Sequence, residues 1–182
     1  MRVLMTGGGT AGHVNPAIAI ANTIMEYEKG SEIAFVCSYQ ARDKAQDLVP
    51  RAGYDKLYRV NILPSHKIYD PRNLMTLYSM VRSHGEAKKI IREFRPDVII
   101  GTGGFACYPV LNAGAKMGIP TLVHESNAIP GKAVLRLVPK IDSVMTNFES
   151  TAKDIKNAKY LKAPAAKTPV AKSIVISVVF FC

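Results

Sequence analysis

The stretch TGGGTAGH, Thr6 to His13, constrains the fold most, because it places four glycines between an apolar run and a helical pattern. Gly7, Gly9 and Gly12 fit the spacing G-x-G-x-x-G, in which glycines let the backbone approach a ligand closely. The following helix would direct its free N–H groups and the positive end of its dipole toward an anion. This stretch therefore predicts a strand, an anion-binding loop and a helix, with a tight turn lacking a ligand as the alternative.

Short apolar runs alternate with longer helical patterns along the first 160 residues. The predicted strands are Arg2–Thr6, Glu32–Cys37, Leu57–Ile62, Asp97–Gly101, Pro120–His124 and Asp142–Thr146. Several are apolar throughout, as expected for strands buried on both faces. The predicted helices are Asn15–Lys29, with Asn15 as N-cap and Pro16 in the first position, Asp70–Phe94 and Cys107–Gly118. The alternation predicts an α/β fold with a Rossmann-like, doubly wound parallel sheet over residues 1–160.

Two common nucleotide sites are disfavoured at the first glycine loop. A dinucleotide site needs an acidic residue after the second strand, where this chain has Cys37 and Ser38. A P-loop needs a lysine and a hydroxyl residue, where this chain has His13 and Val14. The remaining prediction is an anion site that uses neither a ribose carboxylate nor a magnesium ion.

A second glycine loop, TGGFACYP at Thr102–Pro109, follows the predicted strand Asp97–Gly101. In a doubly wound sheet the loops that follow parallel strands lie at the carboxyl edge, where ligands bind. We expect the two TGG loops to lie together there and to hold a diphosphate between them.

A third segment, PTLVHESNAIPG, brings polar residues to the same edge. It contains no second histidine to complete the H-E-x-x-H zinc motif, and we expect His124 to be a buried histidine bonded to the backbone. Glu125 and Asn127 are candidates for contacts with sugar hydroxyls. Ser126 or Asn127 could cap the next helix.

The composition points to an anionic partner. The chain has 24 Lys and Arg against 14 Asp and Glu, a formal net charge of +10, which suits nucleic acid, a phosphorylated ligand or a membrane surface. Cys37, Cys107 and Cys182 lack metal-ligand spacing, so we expect reduced thiols in a cytosolic protein and no metal site. No secretory signal and no apolar run of about 20 residues is present in the sequence.

The last 22 residues have a different character. Residues 161–172, LKAPAAKTPVAK, are rich in Ala, Pro and Lys and resemble an interdomain linker. Residues 173–182, SIVISVVFFC, form a β-prone run. We expect this run to be the stub of a second domain, with an extra strand of the first sheet as the alternative.

Four segments together resemble the N-terminal half of the MurG family of UDP-N-acetylglucosamine transferases. They are GGGTAGHVNPAIAIA, LVPRAGY, IIREFRPDVIIGTGGFACYPV and GIPTLVHESNAIPG, and the resemblance runs in order from Met1 to about Glu149. It implies a GT-B enzyme of two Rossmann-like domains with the active site in the cleft between them. The N-terminal domain of such an enzyme binds the lipid-linked acceptor, and the C-terminal domain binds most of the UDP-sugar.

The resemblance also implies a reaction and the residues that serve it. The reaction is the inverting, metal-independent and cofactor-free transfer of N-acetylglucosamine from UDP-GlcNAc to lipid I, which gives lipid II in peptidoglycan synthesis. His13 would be the general base, with a phosphate-anchoring role as the alternative. The other implied residues are Thr10, Ala11, Gly12 and Asn127 for the donor, Gly8, Gly9, Gly103 and Gly104 for the acceptor diphosphate, and Glu125 in support.

The implied partners are UDP-GlcNAc, an undecaprenyl-diphosphate-linked acceptor and an anionic membrane surface, rather than nucleic acid. The predicted helix Asp70–Phe94 carries apolar residues flanked by basic ones, so we expect peripheral attachment to the cytoplasmic membrane face. Most of the apolar set could instead pack on the sheet.

The sequence suggests two alternatives to a transferase. The chain could be a non-catalytic, membrane-docked acceptor-binding subunit of a split GT-B transferase, whereas a nucleotide-binding module unrelated to sugar transfer is disfavoured. Because the family's donor domain is absent from the 182 residues, we expect no measurable transfer from this chain alone.

Overall fold

The computed structural model describes residues 1–63, 73–158 and 160–162, which alternate between strands and helices. The strands are β1 Arg2–Thr6, β2 Glu32–Ser38, β3 Leu57–Val60, β4 Val98–Gly101, β5 Thr121–Glu125, β6 Ser143–Thr146 and β7 Tyr160–Lys162. The helices are α1 Ala11–Tyr27, α2 Ala45–Arg51, α3 Asn73–Phe94, α4 Cys107–Lys116, α5 Lys132–Leu137 and α6 Glu149–Asp154, with a 3₁₀ turn at Val138–Lys140.

All strand pairs are parallel, in the order β3-β2-β1-β4-β5-β6-β7. The chain winds outward from β1 in one direction and from β4 in the other, so the strand order reverses between these neighbours. Thr6 is paired with Gly101 at their carboxyl ends, which brings the loops after both strands to the crevice where ligands bind in such sheets. The predicted Rossmann-like, doubly wound parallel sheet is confirmed.

The strands β1, β2, β4, β5 and β6 are buried on both faces, as their apolar sequences require. Along β1, Leu4 packs in a core with α3 and α4, whereas its neighbour Met5 packs in a second core with α1. Ile99 and Ile100 of β4 divide in the same way, because successive strand side chains point to opposite faces. Burial on two faces directs the polar chemistry of these five strands to their ends.

The predicted start of the first helix is wrong. α1 begins at Ala11 rather than after Asn15, and Thr10 stands in the N-cap position with an extended backbone. Pro16 therefore lies in the second turn, where its missing N–H removes a bond to the Gly12 carbonyl. The Asn-Pro pair resembled a helix start, but the end of the glycine loop already supplies the turn into the helix.

The predicted cap of the fifth helix is also wrong. α5 begins at Lys132 with Gly131 before it, so neither Ser126 nor Asn127 caps a helix. Instead the segment after β5 turns around the Glu125 side chain, which accepts the backbone N–H groups of Asn127 and Gly131.

Four described elements were not predicted from the sequence: α2, the 3₁₀ turn, α6 and β7. β7 pairs with β6 and contains Leu161 and Lys162, the first two residues of the expected linker. The rest of the linker, residues 163–172, and the run 173–182 lie outside the described residues, as does the expected start of α3 at Asp70 and Pro71.

Across the described ranges, none of the helices combines the length and the hydropathy that a bilayer span would need.

Candidate functional site

The two glycine loops touch each other at the carboxyl edge of the sheet. Gly8 donates its N–H to the Gly103 carbonyl at 3.4 Å, and Thr102 donates its N–H to the Thr6 carbonyl at 2.9 Å. Gly104 has φ +86°, and a Cβ there would collide with the Gly8 backbone. The expectation that the two loops lie at one edge is confirmed, and glycine is required for their close approach.

A buried carboxylate that the sequence analysis missed supports the first loop. Asp43 is 4% exposed, and its Oδ1 accepts the N–H of Gly9 at 2.8 Å and that of Ala45 at 3.1 Å. Its Oδ2 accepts both the N–H and the hydroxyl of Ser38, at 2.9 and 2.8 Å. The Lys44 N–H returns to the Gly9 carbonyl at 3.2 Å. Asp43 thus joins the glycine loop to the end of β2 and the start of α2.

These contacts change which N–H groups can meet an anion. The sequence analysis assigned Gly8 and Gly9 to a diphosphate, but their N–H groups are bonded to Gly103 and Asp43 within the chain. Ala11 and Gly12, at the exposed start of α1, precede the first N–H groups that bond to the Thr10 carbonyl. The N–H groups of this loop that the chain leaves free to meet an anion are therefore those at the helix start.

His13 is half-buried and bonded to the second glycine loop. Its Nδ1 lies 3.0 Å from the Thr102 carbonyl oxygen, and the Thr102 hydroxyl donates to the His13 carbonyl at 2.7 Å. Because a carbonyl oxygen can only accept, the neutral ring carries its proton on Nδ1 and leaves Nε2 unprotonated. A Cβ on Gly103 would lie 2.7 Å from Nδ1, so the His13 ring occupies the space that a side chain at position 103 would need.

The Glu125 side chain organises the loop that follows β5. It is 3% exposed, and its Oε1 accepts both the N–H and the side-chain amide of Asn127, at 2.9 and 2.7 Å. Its Oε2 accepts the Gly131 N–H at 2.8 Å. The buried hydroxyl of Thr151 holds the same loop through the carbonyls of Asn127 and Ala128. The expected availability of Glu125 for sugar hydroxyls is not what the structure shows, whereas Asn127 is exposed and keeps its amide oxygen as an acceptor.

His124 is buried, as expected, but its partner is a side chain rather than the backbone. Its Nε2 lies 2.8 Å from the Asn147 Oδ1, and its Nδ1 is buried without a hydrogen-bond partner. Burial lowers the pKa of His124, against the smaller opposing effects of the Asn147 hydrogen bond and the Glu125 charge. The ring is therefore a buried, neutral Nε2–H tautomer.

The two described cysteines are buried free thiols. Burial is the main cause that raises the pKa of Cys37 and of Cys107 to about 12 in each case. Neither thiol is a thiolate near neutral pH, so neither supplies a nucleophile. Within residues 1–63, 73–158 and 160–162, His, Cys, Asp and Glu side chains form no cluster of three or more that could hold a metal ion.

The model for the N-terminal domain of glycosyltransferase family 28 matches residues 3–146, from β1 to the end of β6. The chain belongs to this family. Both glycine loops, His13 and the Glu125 loop fall inside the matched part of the family 28 domain.

The chain is also similar to curated proteins of about twice its length. It is 41% identical over 159 residues to the UDP-N-acetylglucosamine–N-acetylmuramyl-(pentapeptide) pyrophosphoryl-undecaprenol N-acetylglucosamine transferase of Caldanaerobacter subterraneus subsp. tengcongensis, covering 87% of this chain and 43% of the relative. The protein of the same name from Lactococcus lactis subsp. lactis is 38% identical over 150 residues, covering 82% of this chain and 41% of the relative. The chain thus spans less than half the length of the curated relatives that it matches.

Solved structures agree on the fold. Acinetobacter baumannii MurG superposes with a TM-score of 0.70 at 23% identity, covering 82% of this chain and 42% of that protein. A UDP-GlcNAc 2-epimerase from Neisseria meningitidis, bound to UDP-GlcNAc, gives a TM-score of 0.62 at 14% identity over 100% of this chain and 49% of that protein. The family 28 domain therefore has the fold of the N-terminal half of GT-B proteins.

Proposed function

We propose that this chain is the acceptor-binding half of an inverting, metal-independent glycosyltransferase. The transferase moves N-acetylglucosamine from UDP-GlcNAc to the diphosphoundecaprenyl-linked muramyl peptide named in its relatives, which is lipid I, and so makes lipid II. The observation that carries the proposal is the contact of His13 and both glycine loops at the switch point of the sheet.

The geometry around His13 supports a general base. The Nδ1–H tautomer leaves Nε2 as the proton-accepting nitrogen, which is the role that a general base requires. In the proposed step the acceptor hydroxyl gives its proton to Nε2 while its oxygen bonds to the anomeric carbon. The bond from that carbon to the UDP oxygen breaks on the opposite face, and UDP leaves with the electron pair.

The start of α1 supports binding of the phosphates. Thr10, Ala11 and Gly12 are exposed, and the N-terminus of a 17-residue helix favours negative charge. Asn127, across the edge after β5, offers an amide oxygen to a sugar hydroxyl or amide of the donor. Gly8, Gly103 and Gly104 shape the diphosphate site by their close packing, and Gly9 does so by its positive φ. The N–H groups of Gly8 and Gly9 are bonded within the chain.

The first half of α3 supports attachment to a membrane surface. Five apolar side chains there are between 58% and 74% exposed: Leu74, Met75, Leu77, Tyr78 and Val81. The residues that this part of the helix buries are small and polar, namely Thr76, Ser79 and Ser83. The apolar face of this half-helix is thus turned away from the sheet.

Basic residues extend along the same helix. Arg82 and Lys89 are exposed and Lys88 is half-buried, whereas the expected flanking Arg72 lies outside the described residues. An apolar face bordered by basic side chains suits insertion into the headgroup region of an anionic bilayer. We propose that this face attaches the enzyme peripherally to the cytoplasmic surface of the cell membrane.

The transfer is tested with the chain joined to the C-terminal half of the Caldanaerobacter relative, by measuring UDP release with a lipid-linked acceptor. His13→Ala and His13→Asn should both lower turnover by about 10²–10⁴-fold, because general-base assistance contributes that much. His84→Asn, which changes a half-buried histidine of α3, is the matched control and should keep the wild-type rate.

Two outcomes would contradict parts of the proposal. If His13→Asn kept most of the turnover while His13→Ala lost acceptor affinity, His13 would be an anchor for phosphate and the base would lie elsewhere. If the joined wild-type protein bound the acceptor without turnover, the chain would fit the non-catalytic subunit of a split transferase.

A further inference from the structure

We infer that Thr102 is a positioning residue that fixes the Nδ1–H tautomer of His13, so that Nε2 is the nitrogen left to accept a proton. The link between this tautomer and catalysis rests on the proposed transfer. The tautomer itself is a property of the 182-residue chain and can be measured without activity.

Thr102 forms two hydrogen bonds with His13, one as the acceptor and one as the donor. Its carbonyl oxygen receives Nδ1–H at 3.0 Å, and its hydroxyl donates to the His13 carbonyl at 2.7 Å. Thr102 is 1% exposed, so water does not compete for either bond at the threonine. The His13 ring is thus held by the Thr102 backbone, and the His13 backbone is held by the Thr102 side chain.

The fold reserves space for this pair on both sides. A Cβ on Gly7 would collide with the Thr102 hydroxyl, and a Cβ on Gly103 would lie 2.7 and 2.9 Å from Nδ1 and Cε1 of the His13 ring. The Thr102 N–H is itself fixed by the Thr6 carbonyl at 2.9 Å. Two glycines of the two loops therefore accommodate one threonine and one histidine.

The position of the hydroxyl makes Thr102 more than a packing residue. The carbonyl that receives Nδ1–H belongs to the backbone and survives any substitution, so the hydroxyl is the part of Thr102 that a variant can remove. The hydroxyl holds the first turn of α1 against the second loop, and this contact keeps Nδ1 within bonding distance of the carbonyl. Without it the ring is free to adopt the Nε2–H form.

The test is a nitrogen NMR measurement of the His13 ring in the 182-residue chain, with Thr102→Val as the variant and Thr102→Ser as the matched control. Wild type and Thr102→Ser should show a protonated Nδ1 and an unprotonated Nε2 at a pH where the ring is neutral. Thr102→Val should shift the tautomer ratio by about 3–10-fold toward Nε2–H, since one such hydrogen bond contributes about that factor.

Three results would overturn the inference. They are a wild-type His13 with its proton on Nε2, a Thr102→Val variant with the wild-type tautomer ratio, and a Thr102→Ser variant that behaves like Thr102→Val. The wild-type spectrum decides the matter if the valine variant does not fold. If the joined wild-type enzyme showed no transfer while its His13 carried the proton on Nδ1, the proposed transfer would be wrong and the role of Thr102 would stand.

Discussion

The Asp43 carboxylate holds the first glycine loop, because it accepts the Gly9 N–H at 2.8 Å from a position that is 4% exposed. Gly9 has φ +88°, a backbone conformation that favours glycine. A loop with so little side-chain packing needs a fixed partner to keep one shape, and here a charged acceptor from the segment after β2 provides it. The site is therefore organised from a neighbouring strand as well as from its own loop.

Replacing Asp43 should destabilise the fold substantially. Asp43→Ala removes the acceptor of four donors, three of them buried, so we expect a loss of about 2–4 kcal/mol in the free energy of unfolding. Urea denaturation measures it. Asp47→Ala is the control, because Asp47 forms an exposed i,i+4 ion pair with Arg51 and should change stability by at most about 0.5 kcal/mol. Equal urea midpoints for the two variants would contradict the role of Asp43.

Replacing Gly103 should displace His13. Gly103→Ala adds a Cβ at 2.7 Å from Nδ1 and also strains a backbone with φ +100°, so we expect a loss of about 2–4 kcal/mol. Gly30→Ala isolates the backbone part, because Gly30 has φ +91° with nothing within 4 Å of a Cβ, and should cost about 1–2 kcal/mol. Urea unfolding of both variants measures the difference, and identical losses would show that the contact with the ring costs nothing.

The sequence predicted the sheet well because its signals are strong and local. Apolar runs such as Val98–Gly101 are buried on both faces, and glycine-rich loops follow β1 and β4 as expected. The contribution of Asp43 was not predicted, because an acidic residue in the basic stretch QARDK gives no sign that it reaches back across more than 30 residues to Gly9. An acidic residue two positions before the first residue of a helix was the only available signal.

The orientation of α3 shows a second limit of pattern analysis. The sequence predicts that its apolar residues attach to a membrane, with packing of most of them on the sheet as the alternative, whereas in the structure Thr76, Ser79 and Ser83 occupy the buried positions of the first half. Small hydroxyl side chains can be buried there because they bond locally, as Ser79 does to the Thr76 carbonyl and Ser83 to the Met80 carbonyl. Such local bonds are invisible to hydrophobic periodicity, which counts these residues as polar and therefore outward.

Polar substitutions on the exposed face of α3 should weaken binding to vesicles. Leu74→Ser combined with Leu77→Ser should lower the affinity for anionic phosphatidylglycerol vesicles by at least about 10-fold, because each buried leucine contributes about 1.5–3 kcal/mol. Co-sedimentation measures the bound fraction. Met25→Ser combined with Leu135→Ser is the control and should keep the wild-type affinity, since both residues are exposed apolar side chains on other helices.

The basic residues of α3 should add a charge-dependent part to that binding. Neutralising Arg82 and Lys89 should weaken binding to anionic vesicles by about 1 kcal/mol per charge and leave binding to neutral phosphatidylcholine vesicles unchanged. Equal affinity of the wild-type chain for both vesicle types would remove this electrostatic part. Absence of binding to either type would contradict the proposed membrane attachment.

The buried ring of His124 should make the fold sensitive to mild acid. Burial lowers the pKa of His124 below its ordinary value of 6.5, so the unfolded chain binds a proton at this residue before the folded chain does. The contribution of His124 to the free energy of unfolding is therefore fully present above about pH 6.5. It decreases as the pH falls from there toward the lower pKa of the folded state. His124→Gln should reduce this decrease in urea unfolding measured between pH 8 and pH 5. His84→Gln should remove a smaller part, because His84 is only half-buried. Burial is the main cause that lowers the pKa of His84, and the neighbouring Lys116, Lys88 and Lys140 act in the same direction. An unchanged slope in His124→Gln would show that the ring gains its proton in the folded state at no cost.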